Sequence, residues 1–158
     1  MRVFLFILWL LPTIDAGIPD LNRSIILYVE SNIGIQVGSG ECWDLAAAAL
    51  KHAGAYLDQS SQKTLYVFGK KVDPNKEKVY PGDILQMENV KLQYTEGDME
   101  ITESMKHHTA IVYEVIDRGN YQVAHQNTSF SGRKVGVSNF NLNNMKSGKV
   151  IVYRPIKK

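Results

Sequence analysis

The chain has 158 residues, 44% hydrophobic and 22% charged, with a formal net charge of +2. That length suggests one domain with a core large enough to fold without disulfide staples. The near-neutral balance, with no run of Lys and Arg to make an electrostatic track, argues against nucleic acid as a main partner.

Residues 1–16 read as a secretory signal, which makes the mature protein extracellular. Arg2 supplies a positive start, Val3 to Leu11 form an apolar run, and Ala16 is a small residue at the cleavage position. The run is shorter than the roughly 20 residues that cross a bilayer, so no membrane association is expected once it is removed. An uncleaved anchor or a buried first strand are the competing readings. Residues 17–158 then form one domain. It loses Arg2 and Asp15, and so keeps a charge of +2. The basic tail from Arg154 to Lys158 reads as a solvated chain end.

Asp20 or Asn22 can cap a helix whose apolar positions Leu21, Ile25, Ile26 and Val29 follow 3.6-residue spacing. Gly34 is placed to stop it in a left-handed C-cap. A loop carrying Gly38 and Gly40 leads into a second helix, from about Cys42 through four consecutive alanines to near Gly54. From there the pattern turns to strand. Leu65 to Gly69 is a short β-prone run, Val72 to Asn75 is turn-rich, and Pro81-Gly82-Asp83 is a tight turn before a strand at Ile84 to Met87. Residues 88–106 are charged and read as a hairpin or an exposed loop. Strands follow at Thr109–Val115, Tyr121–His125 and Val150–Tyr153, the first two joined by a turn at Asp117 to Asn120. Helices first and an antiparallel sheet after them make an α+β domain.

The chain has one cysteine, Cys42, in Gly40-Glu41-Cys42-Trp43. Exported proteins use cysteine mostly in pairs, and this thiol sits at a helix start, a place that lowers thiol pKa. One cysteine with histidines further along is the shape of a thiol nucleophile's sequence. The bland reading is a buried free thiol acting as a small hydrophobe. Of four histidines, His52 falls near a helix end and reads as meeting the last carbonyls. His107 and His108 open one strand and His125 closes its antiparallel neighbour, so His108 and His125 lie at one sheet edge. If the Cys42 helix packs on that sheet, nucleophile, base and orienting group meet there. A metal site is disfavoured, because adjacent strand residues point to opposite faces and zinc-type spacing is missing. Trp43 and Asp44 read as helix-start packing and as a complement to the helix dipole.

Four blocks in order carry a resemblance to a known family: Gly40-Glu41-Cys42-Trp43, Pro81-Gly82-Asp83-Ile84, His108-Thr109-Ala110-Ile111-Val112 and Val123-Ala124-His125-Gln126-Asn127. The chain resembles the NlpC/P60 superfamily of papain-like cysteine hydrolases, and most of all its CHAP branch of amidases and endopeptidases. The resemblance implies Cys42 as nucleophile, His108 as general base, and His125 or Asn127 as the group that orients the base. His125 departs from the commonest CHAP pattern, which has glutamate there, but stays inside the superfamily. The implied fold is papain-like, helices against an antiparallel sheet. The implied activity is cleavage of amide bonds, in peptidoglycan peptides or another peptide substrate, with no cofactor and no metal. A peptidase or acyltransferase acting on other substrates, and a non-catalytic binding module on the same fold, are the rival readings.

Two glycosylation-type sequons complete the sequence, at Asn22 and Asn127. The first could carry a glycan in a eukaryotic source. The second falls inside the proposed site and is expected to be unmodified.

Overall fold

A computed structural model describes residues 17–61 and 66–158. The signal-like segment 1–16 and Leu65 of the short β-prone run lie outside the described residues. The chain forms helix α1 (Asp20–Asn32), helix α2 (Cys42–His52), and strands β1 (Lys70–Val72), β2 (Ile84–Glu96), β3 (Met99–Asp117), β4 (Asn120–His125), β5 (Gly136–Asn141) and β6 (Met145–Arg154). A single 3-10 turn, Leu142–Asn144, precedes β6. The strands make one sheet in the order β1-β6-β2-β3-β4-β5, and every pairing is antiparallel. This is the expected α+β architecture, two helices on a six-stranded sheet.

Alternation along the strands splits the apolar residues into two layers. Ile84, Ile111, Ala124 and Tyr153 pack with Ile25 and Val29 of α1 and Leu45, Ala49 and Leu50 of α2. Leu85, Met87, Ala110, Val112, Tyr121, Val123 and Val152 form a second apolar cluster on the other face. Both faces of the central strands are therefore buried, which accounts for their near-continuous apolar runs. The alanines of α2 bring that helix close to β3.

Several local expectations change. Tyr66 to Gly69 do not form a strand. Phe68 is fully buried there, with its ring edge-on to Tyr153 at 6.0 Å, and the chain begins to pair only at Lys70. The apolar character of this run therefore comes from insertion into the core, and its backbone stays off the sheet edge. Asn22 is not a helix cap either. The cap position is Pro19, and Asn22 is fully buried, its amide donating to Pro81 O and to Asp83 Oδ1 at 2.8 Å. A glycan on Asn22 is sterically excluded in the folded domain. The charged stretch 88–106 is a long hairpin, β2 against β3, with its outer half exposed. β5 was not anticipated, because Gly136-Val137-Ser138-Asn139-Phe140-Asn141 is too polar to read as a strand. It is the sheet's edge, where one side faces solvent.

Two glycines do work that another residue could not. Gly34 takes φ 80° just after α1, the expected left-handed stop. Gly82 takes φ 86° against the backbone of Asn22, where a Cβ would lie 2.5 Å from that residue's carbonyl oxygen. The tight turn before β2 thus docks directly on α1.

Candidate active site

Cys42 is the first residue of α2 and is half-buried. Its helix start is fixed by a reciprocal cap. The Glu41 side chain accepts from the Asp44 backbone, and the Asp44 carboxylate accepts from Glu41 N, Ser39 N and Ser39 Oγ. Asp44 thus organises the loop before the thiol, as well as complementing the helix dipole. The thiol lies against Thr109 of β3 and the backbone of Trp43, which act on its pKa, while the Thr109 hydroxyl donates to Gln86 Oε1 at 2.7 Å. The thiol pKa is raised, first by burial and further by the Glu41 charge, against the lowering effect of Thr109 and Trp43. The helix start was expected to lower it. Desolvation wins because the sulfur is packed against β3.

His108 and His125 come together as expected. His108 Nε2 lies 2.8 Å from His125 Nδ1, with the rings edge-to-face. Both are buried, at 7% and 9% exposure. Burial pushes His108 down to about 4. It pushes His125 down to about 3, with the positive charge on His108 as the second cause. Both rings are therefore neutral at pH 7. The far nitrogen of His125, Nε2, meets Ser138 Oγ of β5 at 2.9 Å. Nothing in the sequence marked Ser138, since its link to His125 exists only once β4 and β5 pair.

Alternation decides which way each side chain points. Thr109 and Ile111 face the helix layer, whereas His108, Ala110 and Val112 face the opposite one. The sulfur of Cys42 and the ring of His108 thus approach the same peptide unit, His108–Thr109, from the two sides of β3. The resting sulfur lies beside Thr109, and the ring is bonded to His125. His107 is exposed on the helix side and stacks on Tyr66 at 5.7 Å. His52 lies against Tyr28, with ring centroids 5.1 Å apart.

Asn127 does not bond His108. Its amide donates to Glu41 Oε2 at 3.0 Å, and its backbone takes φ 60°, a conformation Asn tolerates. The residue before it, Gln126, is fully buried. It accepts from Val37 N and donates to Val37 O and Glu41 O. Arg133 adds a hydrogen bond to Ser39 O and a 3.5 Å ion pair with Glu41. The segment leaving β4 is thereby clamped to the loop that carries Cys42. Gln126 could have been suspected from its place beside His125, but its partners are 89 and 85 residues away in the chain.

An open groove of about 1210 Å³ runs over the face opposite the helices, lined among others by His108, His125, Ser138, Tyr94, Glu103 and Phe130. Phe130 is exposed and its ring lies 5.4 Å from that of His125.

Comparison with known proteins agrees with this fold. The model of the AIM3/BBC1 cysteine proteinase-fold domain matches residues 20–158, and the chain belongs to that family. Altered inheritance of mitochondria protein 3 from Debaryomyces hansenii is 30% identical over 165 residues. That match takes in 92% of this chain and 17% of the relative, so the chain spans about a sixth of that protein's length. The crystal structure of Ly7917 superposes with a TM-score of 0.50 at 18% identity, covering 84% of this chain and 62% of the other. That likeness is one of fold.

Proposed function

With membership of the AIM3/BBC1 cysteine proteinase-fold family as the starting point, we propose that the domain is a cysteine hydrolase cutting amide bonds. The observation that carries this reading is the set gathered midway along β3. A thiol at a helix N-terminus lies beside Thr109, the preceding residue is His108, and His108 is held by His125 at 2.8 Å. On this reading the Cys42 side chain first swings from its place beside Thr109 toward the His108 ring, whose Nδ1 then takes the thiol proton as the sulfur attacks the amide carbonyl. Backbone N–H groups at the start of α2 stabilise the oxyanion. The C–N bond breaks, His108 returns the proton to the leaving amine, and water cleaves the thioester. His125 keeps His108 in the tautomer that leaves Nδ1 free to accept. The raised thiol pKa and the depressed His108 pKa make the resting pair neutral, so the proton moves during attack.

The CHAP-like order of the four sequence blocks favours peptidoglycan peptides as substrate, with protein-derived peptides as the alternative. On the same reading residues 1–16 are removed on export. The test is to incubate the protein with purified sacculi, and separately with a peptide library, and to follow new amino termini. Cleavage by wild type, lowered at least ~10³-fold in Cys42→Ala and His108→Ala, supports the reading. Cleavage that survives Cys42→Ala would sink it.

A second reading is a binding module without turnover. What favours it is the resting thiol itself, half-buried with its pKa raised by burial. Equal binding to sacculi or peptides by wild type and both variants, with no new amino termini, would select it.

A further inference from the structure

We propose that Ser138 is a positioning residue for His108, acting through His125 to fix which nitrogen of each ring carries the proton. The inference rests on the reading of His108 as the general base. Each neutral imidazole has one N–H, and the 2.8 Å contact between His108 Nε2 and His125 Nδ1 takes one hydrogen. Only two arrangements satisfy this. In the first, His108 Nε2–H donates to His125 Nδ1, so His125 carries its proton on Nε2 and donates it to Ser138 Oγ at 2.9 Å. His108 Nδ1 is then a free acceptor. In the second, His125 Nδ1–H donates to His108 Nε2, Ser138 donates to His125 Nε2, and His108 Nδ1 carries a proton. A ring in that state cannot accept one from a thiol.

The choice between the two lies at the Ser138 end. An oxygen that accepts from His125 Nε2–H selects the arrangement in which His108 can act as base. It also needs no rearrangement when His108 becomes an imidazolium, because Nε2–H is already donated to His125. This chain of groups lines the open groove, with the exposed Phe130 ring beside it. His125 pairs with Gly136 across β4 and β5, and Ser138 lies two residues further along the same strand. A Cβ at Gly136 would fall 2.7 Å from the Phe130 ring, so that aromatic ring is packed down beside His125. A serine is the small group that fits there and still offers oxygen.

The test combines imidazole ¹⁵N NMR with kinetics on wild type, Ser138→Ala, Ser138→Thr and Ser138→Asp. Wild type is expected to show both histidines protonated on Nε2. Ser138→Ala should mix the tautomers and lower kcat about tenfold with little change in KM, and Ser138→Thr should restore both. Ser138→Asp, which only accepts, should hold the base-ready tautomers and raise the pH at which the pair protonates. Wild-type tautomers and wild-type kcat in Ser138→Ala would overturn the proposal, as would tautomers that do not respond to any of the three variants. The spectra need no turnover. Tautomers that shift with Ser138 in a protein that cleaves nothing would uphold the positioning role and reject the hydrolase reading.

Discussion

Two buried polar clusters sit in this one sheet, and they are built on opposite principles. At one, the fully buried Asp83 accepts from Arg154 Nε at 3.1 Å and Nη2 at 2.7 Å, from Asn22 at 2.8 Å, and from Tyr80 N at 2.9 Å. It has a cation beside it. At the other, His108, His125 and Ser138 share hydrogen bonds with no counter-ion among the atoms they bond. The first cluster is fixed by its ion pair and holds α1, the turn before β2, and β6 together, with Asn22 Oδ1 left without a partner among the described residues. The second is neutral and keeps one imidazole nitrogen free, so it can take up a proton. The fixed ion pair makes a structural site, and the spare imidazole nitrogen makes a chemical one.

Acid should break the comparison most strongly. Both histidines have folded-state values, about 4 and about 3, below the ordinary 6.5. Between those limits the unfolded chain binds more protons, so stability that is complete above about pH 6.5 is lost as pH falls toward 4. The slope should reach ~1.4 kcal/mol per pH unit for each ring. Denaturant midpoints across that range will show it. A flat profile would mean the rings are charged in the fold. Asp83→Ala should come next. It leaves the Arg154 guanidinium without its carboxylate and should cost about 3–5 kcal/mol by chemical denaturation. Gln126→Ala strips three hydrogen bonds from the Cys42 loop. It should cost ~1–3 kcal/mol and lower cleavage more than Asp83→Ala does at a temperature where both variants are folded. The smallest effect belongs to Lys70→Ala, which breaks an exposed 3.3 Å pair with Glu77 and should change stability by no more than about 0.5 kcal/mol.

The parts of the site that were legible in the sequence are the ones encoded locally. Cys42 stands at a helix start marked by Gly40 and Glu41, and His125 ends β4, which a short turn joins to β3, although β3 begins at Met99 and carries His108 at its middle instead of its start. Sequence order alone therefore brought the two histidines together across the β3–β4 turn, though not at an edge of the sheet. Gln126, Asp83 and Ser138 were not legible as partners. Their bonds cross 89, 61 and 13 residues, and each is an ordinary polar residue until its strand finds a neighbour. Asn127 shows the opposite error. Its motif position suggested the histidine, but a positive φ turns its amide to Glu41. Phe68 shows how an apolar run can be burial without pairing.

By itself the sequence determined the helix stops, the hairpin turns and the alternation that gives the sheet two buried faces, because these depend on backbone freedom and spacing within a few residues. It also determined which thiol and which imidazoles were available. Tertiary structure alone decided their protonation, because desolvation comes from residues brought in from every element. Packing keeps the thiol a thiol despite its helix start, leaves both histidines uncharged, and supplies the serine on which their tautomers turn.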